Sequence, residues 1–182
     1  MSISAKEIDA QIKSKVREVP DFPNPGILFK DITPMLQDTE LNRSIINFLA
    51  RVNEKNKPDV IVGIESRGFI FGMALAIALE IPFVPVRKEG KLPADVHKYA
   101  YDLEYGSSVV EIHKDAIKPG QKVLIHDDLL ATGGTALAAA ELVLMNKAEI
   151  IGFNFLIELA FLPGRKRLAP YSENTISLAT YV

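Results

Sequence analysis

Two adjacent carboxylates, Asp127 and Asp128, close an apolar run, and Ala131-Thr132-Gly133-Gly134-Thr135 follows them at the expected start of a helix. Such a loop suits a phosphate. Glycines let the main chain approach an anion, several N–H groups converge, the Thr132 and Thr135 hydroxyls add donors, and the helix dipole favours negative charge. No Gly-Lys-Ser/Thr follows, so this is not a Walker A loop, and the chain holds no GxGxxG string. Ionised carboxylates only accept hydrogen bonds. The acidic pair therefore suits neighbouring hydroxyls, such as those of a ribose, and can help to hold Mg²⁺.

Two cationic groups follow apolar runs elsewhere: Ser66-Arg67-Gly68, and the basic stretch Arg87, Lys88 and Lys91. Ile64-Glu65-Ser66-Arg67-Gly68 also resembles the nucleophile elbow of serine hydrolases. The glycine expected at 64 stands at 63, however, and the histidines do not follow the hydrolase order. His97, His113 and His126 lack metal-ligand spacing. His126 falls inside an apolar strand, where a buried, hydrogen-bonded role is expected rather than a catalytic one.

These groups need a scaffold that gathers them. Ser4-Ala5-Lys6-Glu7 reads as a capping box opening a helix on Ile8, Ile12 and Val16, stopped near Val19 by Pro20, Pro23 and Pro25. Residues 20–34 read as an extended loop. Asp38 or Thr39 caps a second helix with Leu41, Ile45, Phe48, Leu49 and Val52 on its buried stripe. Short strands at Val60–Ile64, Phe83–Val86, Lys122–His126 and Glu149–Ile157 then alternate with helices at Phe69–Leu79 and Gly133–Asn146. That rhythm predicts an α/β fold: a parallel central sheet with helices on both faces, binding ligands at the carboxyl ends of its strands. Residues 93–113 break the rhythm and read as a hairpin or flap off the main sheet, turning at Gly106-Ser107. Such excursions are often lids.

A length of 182 residues predicts one domain, 1–182, able to bury its own core. With 21 Lys and Arg against 23 Asp and Glu, the net charge of −2 supplies no basic field for nucleic acid or an anionic membrane. The absence of cysteine excludes disulfides, thiolate metal sites and cysteine nucleophiles. The longest uncharged stretch, Gly68 to Leu79, is too short to span a bilayer, and Lys6, Glu7 and Asp9 stand where a signal peptide needs an apolar core. A cytoplasmic protein is expected.

The string DDLLATGGT at 127–135 resembles the phosphoribosyl pyrophosphate motif of type I phosphoribosyltransferases, in the form used by their adenine-specific branch. PDFPNPGILFKDITP at 20–34, GIESRGFIFG at 63–72, PVRKEGKLP at 85–93 and LEYG at 103–106 fall in the same order and spacing as in that family. The resemblance implies transfer of a 5-phosphoribosyl group from phosphoribosyl pyrophosphate to adenine, giving AMP and pyrophosphate in purine salvage. It implies Mg²⁺, held mainly by substrate oxygens, and a homodimer. It implies that Ala131 to Thr135 wrap the ribose 5-phosphate, that Asp127 and Asp128 meet the ribose hydroxyls, and that Ser66, Arg67, Arg87, Lys88 and Lys91 receive the pyrophosphate. Residues 20–36 would form the adenine cradle through Leu28, Phe29 and Lys30, with Leu159 on the other face of the ring. Glu104, beside Tyr105 on a lid spanning 87–113, would assist proton traffic on the purine. Lysine at 30 replaces an arginine common in the family, and residues 94–99 depart most from its pattern, so no role passes to His97 or Lys98. A non-catalytic sensor on the same fold would carry a DNA-binding domain, for which the residues before the Pro-rich segment leave no room. Xanthine or orotate transferases would share the phosphate loop but not the cradle.

Overall fold

The computed structural model describes residues 3–102 and 107–182. The Ser4 hydroxyl accepts from Glu7 N while the Glu7 carboxylate accepts from Ser4 N, opening α1 (Ala5–Lys15) as the capping box predicts. The helix ends earlier than expected. Val16 is already extended, and β1 (Arg17–Pro20) pairs antiparallel with β2 (Leu28–Asp31), so the Pro-rich segment is a hairpin rather than a loop. Pro20 is tolerated because it ends a strand of a two-stranded ribbon. Asp38 then caps α2 (Thr39–Asn53), with Leu41, Ile45, Phe48 and Leu49 buried.

The remaining elements build one seven-stranded sheet in the order β5-β6-β4-β3-β7-β8-β9. They are β3 (Val60–Ile64), α3 (Gly68–Leu79), β4 (Phe83–Lys88), β5 (Val96–Asp102), β6 (Ser107–His113), β7 (Lys122–Leu130), α4 (Gly134–Met145), β8 (Glu149–Leu159), α5 (Gly164–Leu168) and β9 (Thr175–Tyr181). Strands β4, β3, β7, β8 and β9 run parallel, while β6 joins β4 antiparallel through Arg87–Glu111 and Lys88–Val110. The predicted flap is thus the sheet's own edge, a hairpin whose segment 103–106 lies outside the described residues.

Alternation along each strand sends side chains to opposite faces. Val60, Val62, Val123 and Ile125 pack with Ala138, Ala139, Leu142 and Val143 of α4. Ile61 and Leu124 pack with α1, α2 and α3 on the other side. Helices therefore cover both faces, as the strand-helix rhythm requires. Asp9 of α1 accepts from Thr180 N of β9 at 3.0 Å. Close packing explains Gly68, where a Cβ would lie 2.8 Å from Asp127 Oδ1 and 2.9 Å from the His126 carbonyl.

Candidate active site

A cleft of about 410 Å³ opens at the carboxyl ends of β3, β4 and β7, lined by the turn after β3, by Lys88, by Asp127 and Asp128, and by residues 131–136. Both carboxylates lie within β7, which continues to Leu130 instead of stopping at His126. The strand carries them because their polar needs are met. Asp127 Oδ1 accepts from Asp128 N at 2.9 Å, and Asp128, almost fully buried, accepts from Arg67 Nε. Burial and the adjacent Asp128 carboxylate push the Asp127 carboxyl well above its ordinary range.

Gly133 caps α4 at φ +79°, a left-handed conformation that glycine adopts without strain. The first helical N–H groups after it, at Gly134, Thr135 and Ala136, lack intrahelical acceptors and belong to residues lining the cleft, a geometry able to take an anion. The loop is braced from behind. A Cβ on Gly133 would lie 3.1 Å from Gly164 Cα and carbonyl oxygen, one on Gly164 would lie 2.3 Å from the Ala131 carbonyl, and Arg167 Nη1 donates to the Thr132 carbonyl at 3.2 Å. From the hairpin, Tyr101 reaches the same loop: Thr135 Oγ1 donates to its hydroxyl at 3.2 Å.

The pyrophosphate candidates separate in space. Ser66, after a cis Glu65–Ser66 peptide, and Arg67 line the cleft with Lys88. Arg87 is turned to Glu65, donating from Nε at 3.1 Å, and to the Lys91 carbonyl from Nη1 at 3.0 Å. Lys91 is exposed, at the bend after β4. In the cradle, the Arg67 guanidinium stands 5.5 Å from the centre of the Phe29 ring, joining β2 to the cleft. Leu28 is exposed. The buried Lys30 ammonium pairs with Glu18 and lies 4.1 Å from the centre of the Tyr181 ring, so its side chain is already engaged. Leu159 ends β8, partly buried and in register with Tyr181. Glu104 and Tyr105 lie outside the described residues.

His126 is buried, as expected, but neither ring nitrogen has a protein hydrogen-bond partner, correcting the hydrogen-bonded role read from sequence. Burial pulls its imidazole down to about 4, and the Asn154 main chain beside it pulls weakly the other way. It is neutral near neutral pH. Sequence reasoning missed Glu65, Tyr101, Gly164 and Arg167 as neighbours of the site. Tyr101 lies in the segment 93–113 that breaks the strand–helix rhythm, whereas Gly164 and Arg167 stand in a helix of five residues with no periodicity to read.

The phosphoribosyl transferase domain family matches residues 35–173, and the chain belongs to this family. Its curated relatives include the adenine phosphoribosyltransferase of Cytophaga hutchinsonii, 47% identical over the full length of both chains. That of Nostoc punctiforme is 55% identical over 86% of this chain and 92% of its own. Among solved structures, the adenine phosphoribosyltransferase of Thermoanaerobacter pseudethanolicus is 51% identical with a TM-score of 0.91, over 94% of this chain and 99% of that one. The Saccharomyces cerevisiae enzyme, complexed with an imino-altritol bisphosphate and adenine, is 43% identical with a TM-score of 0.89, over 95% and 99%. The likeness is thus to the adenine-specific members, and the chain is a transferase of that group.

Proposed function

We propose that this cleft transfers the 5-phosphoribosyl group of phosphoribosyl pyrophosphate to adenine, releasing AMP and pyrophosphate, a purine salvage reaction. The observation that carries the reading is convergence: one cleft joins the α4 anion loop, the Asp127–Asp128 pair and Arg67, with Phe29 stacked behind the arginine. Residues 131–135 hold the 5-phosphate, the two aspartates accept from ribose hydroxyls, and Ser66, Arg67 and Lys88 receive the pyrophosphate. Arg87 and Lys91 shape that turn instead of lying in the cleft. Leu28 and Phe29, with the main chain of Lys30, cradle the base against Leu159.

The bond from C1 to the pyrophosphate oxygen breaks as the bond from C1 to the purine nitrogen forms, and the nitrogen's proton leaves, with Glu104 as its candidate acceptor. Positive charge builds on the sugar, as in other glycosyl transfers, and negative charge grows on the leaving group beside the cationic side chains. Mg²⁺, when bound, would further neutralise the phosphates, with Asp127 and Asp128 the nearest carboxylates able to help hold it. Among the described residues no three His, Asp or Glu side chains gather into a metal cluster. The acidic groups lining the cleft are Glu65, Asp127 and Asp128. A cation held mainly by substrate oxygens and water fits that donor set.

A base panel tests the substrate. With Mg²⁺ and phosphoribosyl pyrophosphate, adenine is expected to outpace hypoxanthine and guanine by up to about 10⁴-fold, because a 6-oxo purine leaves a buried partner unpaired. Comparable rates with guanine would remove the adenine assignment and leave the transferase class standing.

A homodimer belongs to the same reading. Helix α3 is apolar all round, and Ile70, Met73 and Ile77 leave an exposed stripe on its outer side. A helix of that kind is ordinarily covered. A second copy is the occupant proposed, so light scattering should give twice the 20.1 kDa chain mass, falling to one chain in Met73→Glu/Ile77→Glu. A wild-type protein of single-chain mass would end this proposal. We also read residues 1–182 as one domain, located in the cytoplasm where phosphorylated substrates are retained.

A further inference from the structure

Glu111 is a buried carboxylate outside the cleft, on β6, with its side chain 2% exposed. It faces Arg87 of β4 on one side and Lys98 of β5 on the other. Its Oε1 accepts from the main-chain N–H groups of Lys91 and Leu92, each at 3.0 Å, while Oε2 lies 3.8 Å from Lys98 Nζ. Burial alone would raise this carboxyl, but the N–H groups of Leu92, Gly90 and Lys91 outweigh it and hold the group below its ordinary range. Buried charge is costly unless it is fully paired, so this carboxylate is tied closely to the bend it fills.

That bend begins where β4 delivers Lys88 to the cleft. It turns through Gly90 at φ +76°, Lys91 N donates back to the Lys88 carbonyl at 3.2 Å, and Glu89 N donates to Val109 of β6 at 3.1 Å. Arg87 spans it, holding the Lys91 carbonyl with Nη1 and Glu65 with Nε. Glu65 in turn accepts from Lys88 N at 3.0 Å. Two carboxylates thus clamp the same bend, Glu65 from the β3 turn and Glu111 from beneath.

We infer that Glu111 is a positioning residue for the pyrophosphate half of the site, fixing the bend at 88–92 so that Lys88 stands in the cleft. This rests on the reading that Lys88 receives pyrophosphate. Removing the carboxylate leaves the Lys91 and Leu92 N–H groups without their acceptor and frees the bend, whereas the 131–135 loop after β7 keeps its bracing by Gly164 and Arg167.

Calorimetry with magnesium pyrophosphate and, separately, ribose 5-phosphate tests this on Glu111→Gln, Glu111→Ala and Lys88→Ala. Pyrophosphate affinity is expected to fall roughly 3- to 10-fold in Glu111→Gln, which keeps one acceptor oxygen, and more than about 10-fold in Glu111→Ala. Ribose 5-phosphate affinity should stay within about twofold in both. Unchanged pyrophosphate affinity in the alanine variant, or equal loss of both ligands, overturns the inference. Should the alanine variant not fold, unchanged pyrophosphate affinity in Glu111→Gln does the same. Wild-type affinity in Lys88→Ala instead overturns the reading that Lys88 receives pyrophosphate, on which the inference rests.

Discussion

Gly133→Val is expected to weaken binding of phosphoribosyl pyrophosphate by at least about 100-fold while the protein keeps its fold. At φ +79° a β-branched side chain is strained, by about 1–3 kcal/mol. The new Cβ would also press on Gly164, 3.1 Å away in rigid backbone, so the loop must lift off α5. From sequence, the glycine would be explained by room for phosphate oxygens; the structure adds a wall behind the loop. Lifting it misaims the N–H groups at the α4 terminus. Losing two charge-assisted hydrogen bonds of about 1.5–3 kcal/mol each gives roughly 10²- to 10⁴-fold. Calorimetry on a variant of near-native melting temperature checks this, and unchanged affinity would mean that the phosphate binds elsewhere.

Glu104→Gln should slow the chemical step by about 10²- to 10⁴-fold, the usual worth of general acid–base help, with little change in KM for either substrate. The expectation comes from the LEYG string at 103–106, which stands between β5 and β6 in the chain. Tyr101, three residues before Glu104, already accepts from Thr135 Oγ1 at the start of α4. Glutamine keeps the shape and one acceptor oxygen but cannot take a proton, so the change isolates proton transfer from packing. Single-turnover rates at saturating substrate separate chemistry from product release. A variant matching wild type in that measurement would remove Glu104 from the catalytic machinery. A raised KM with unchanged kcat would make it a binding group only.

What was legible in the sequence was whatever local pattern controls. The β-branched run of β3, the stripe of α2 and the Gly-Gly entry to α4 appear where their residues predict. Reading β7 only as far as His126 failed because charges rarely continue a buried strand. Asp128 does so by virtue of Arg67, whose approach depends on a different strand, and Asp127 by accepting from Asp128 N. Val16 extends the helical spacing of α1 yet is the first extended residue, and prolines masked the β1–β2 ribbon. The cleft's 131–135 loop and acidic pair could be named from one continuous string. Glu65, Glu111 and Gly164 could not, since each acquires its role from residues brought in by tertiary structure.

The Arg67–Asp128 pair joins residues 61 apart, between the turn after the central strand β3 and the neighbouring β7. In folding terms this is a high-contact-order site, with a long loop to close before the contact contributes any stability. A nascent chain that has released β3 holds Arg67 without its acceptor until β7 has followed, and Gly164, which backs the 131–135 loop, emerges later still. An amino-terminal fragment ending before Asp128 therefore holds β3 and Arg67 without the carboxylate that pairs with it.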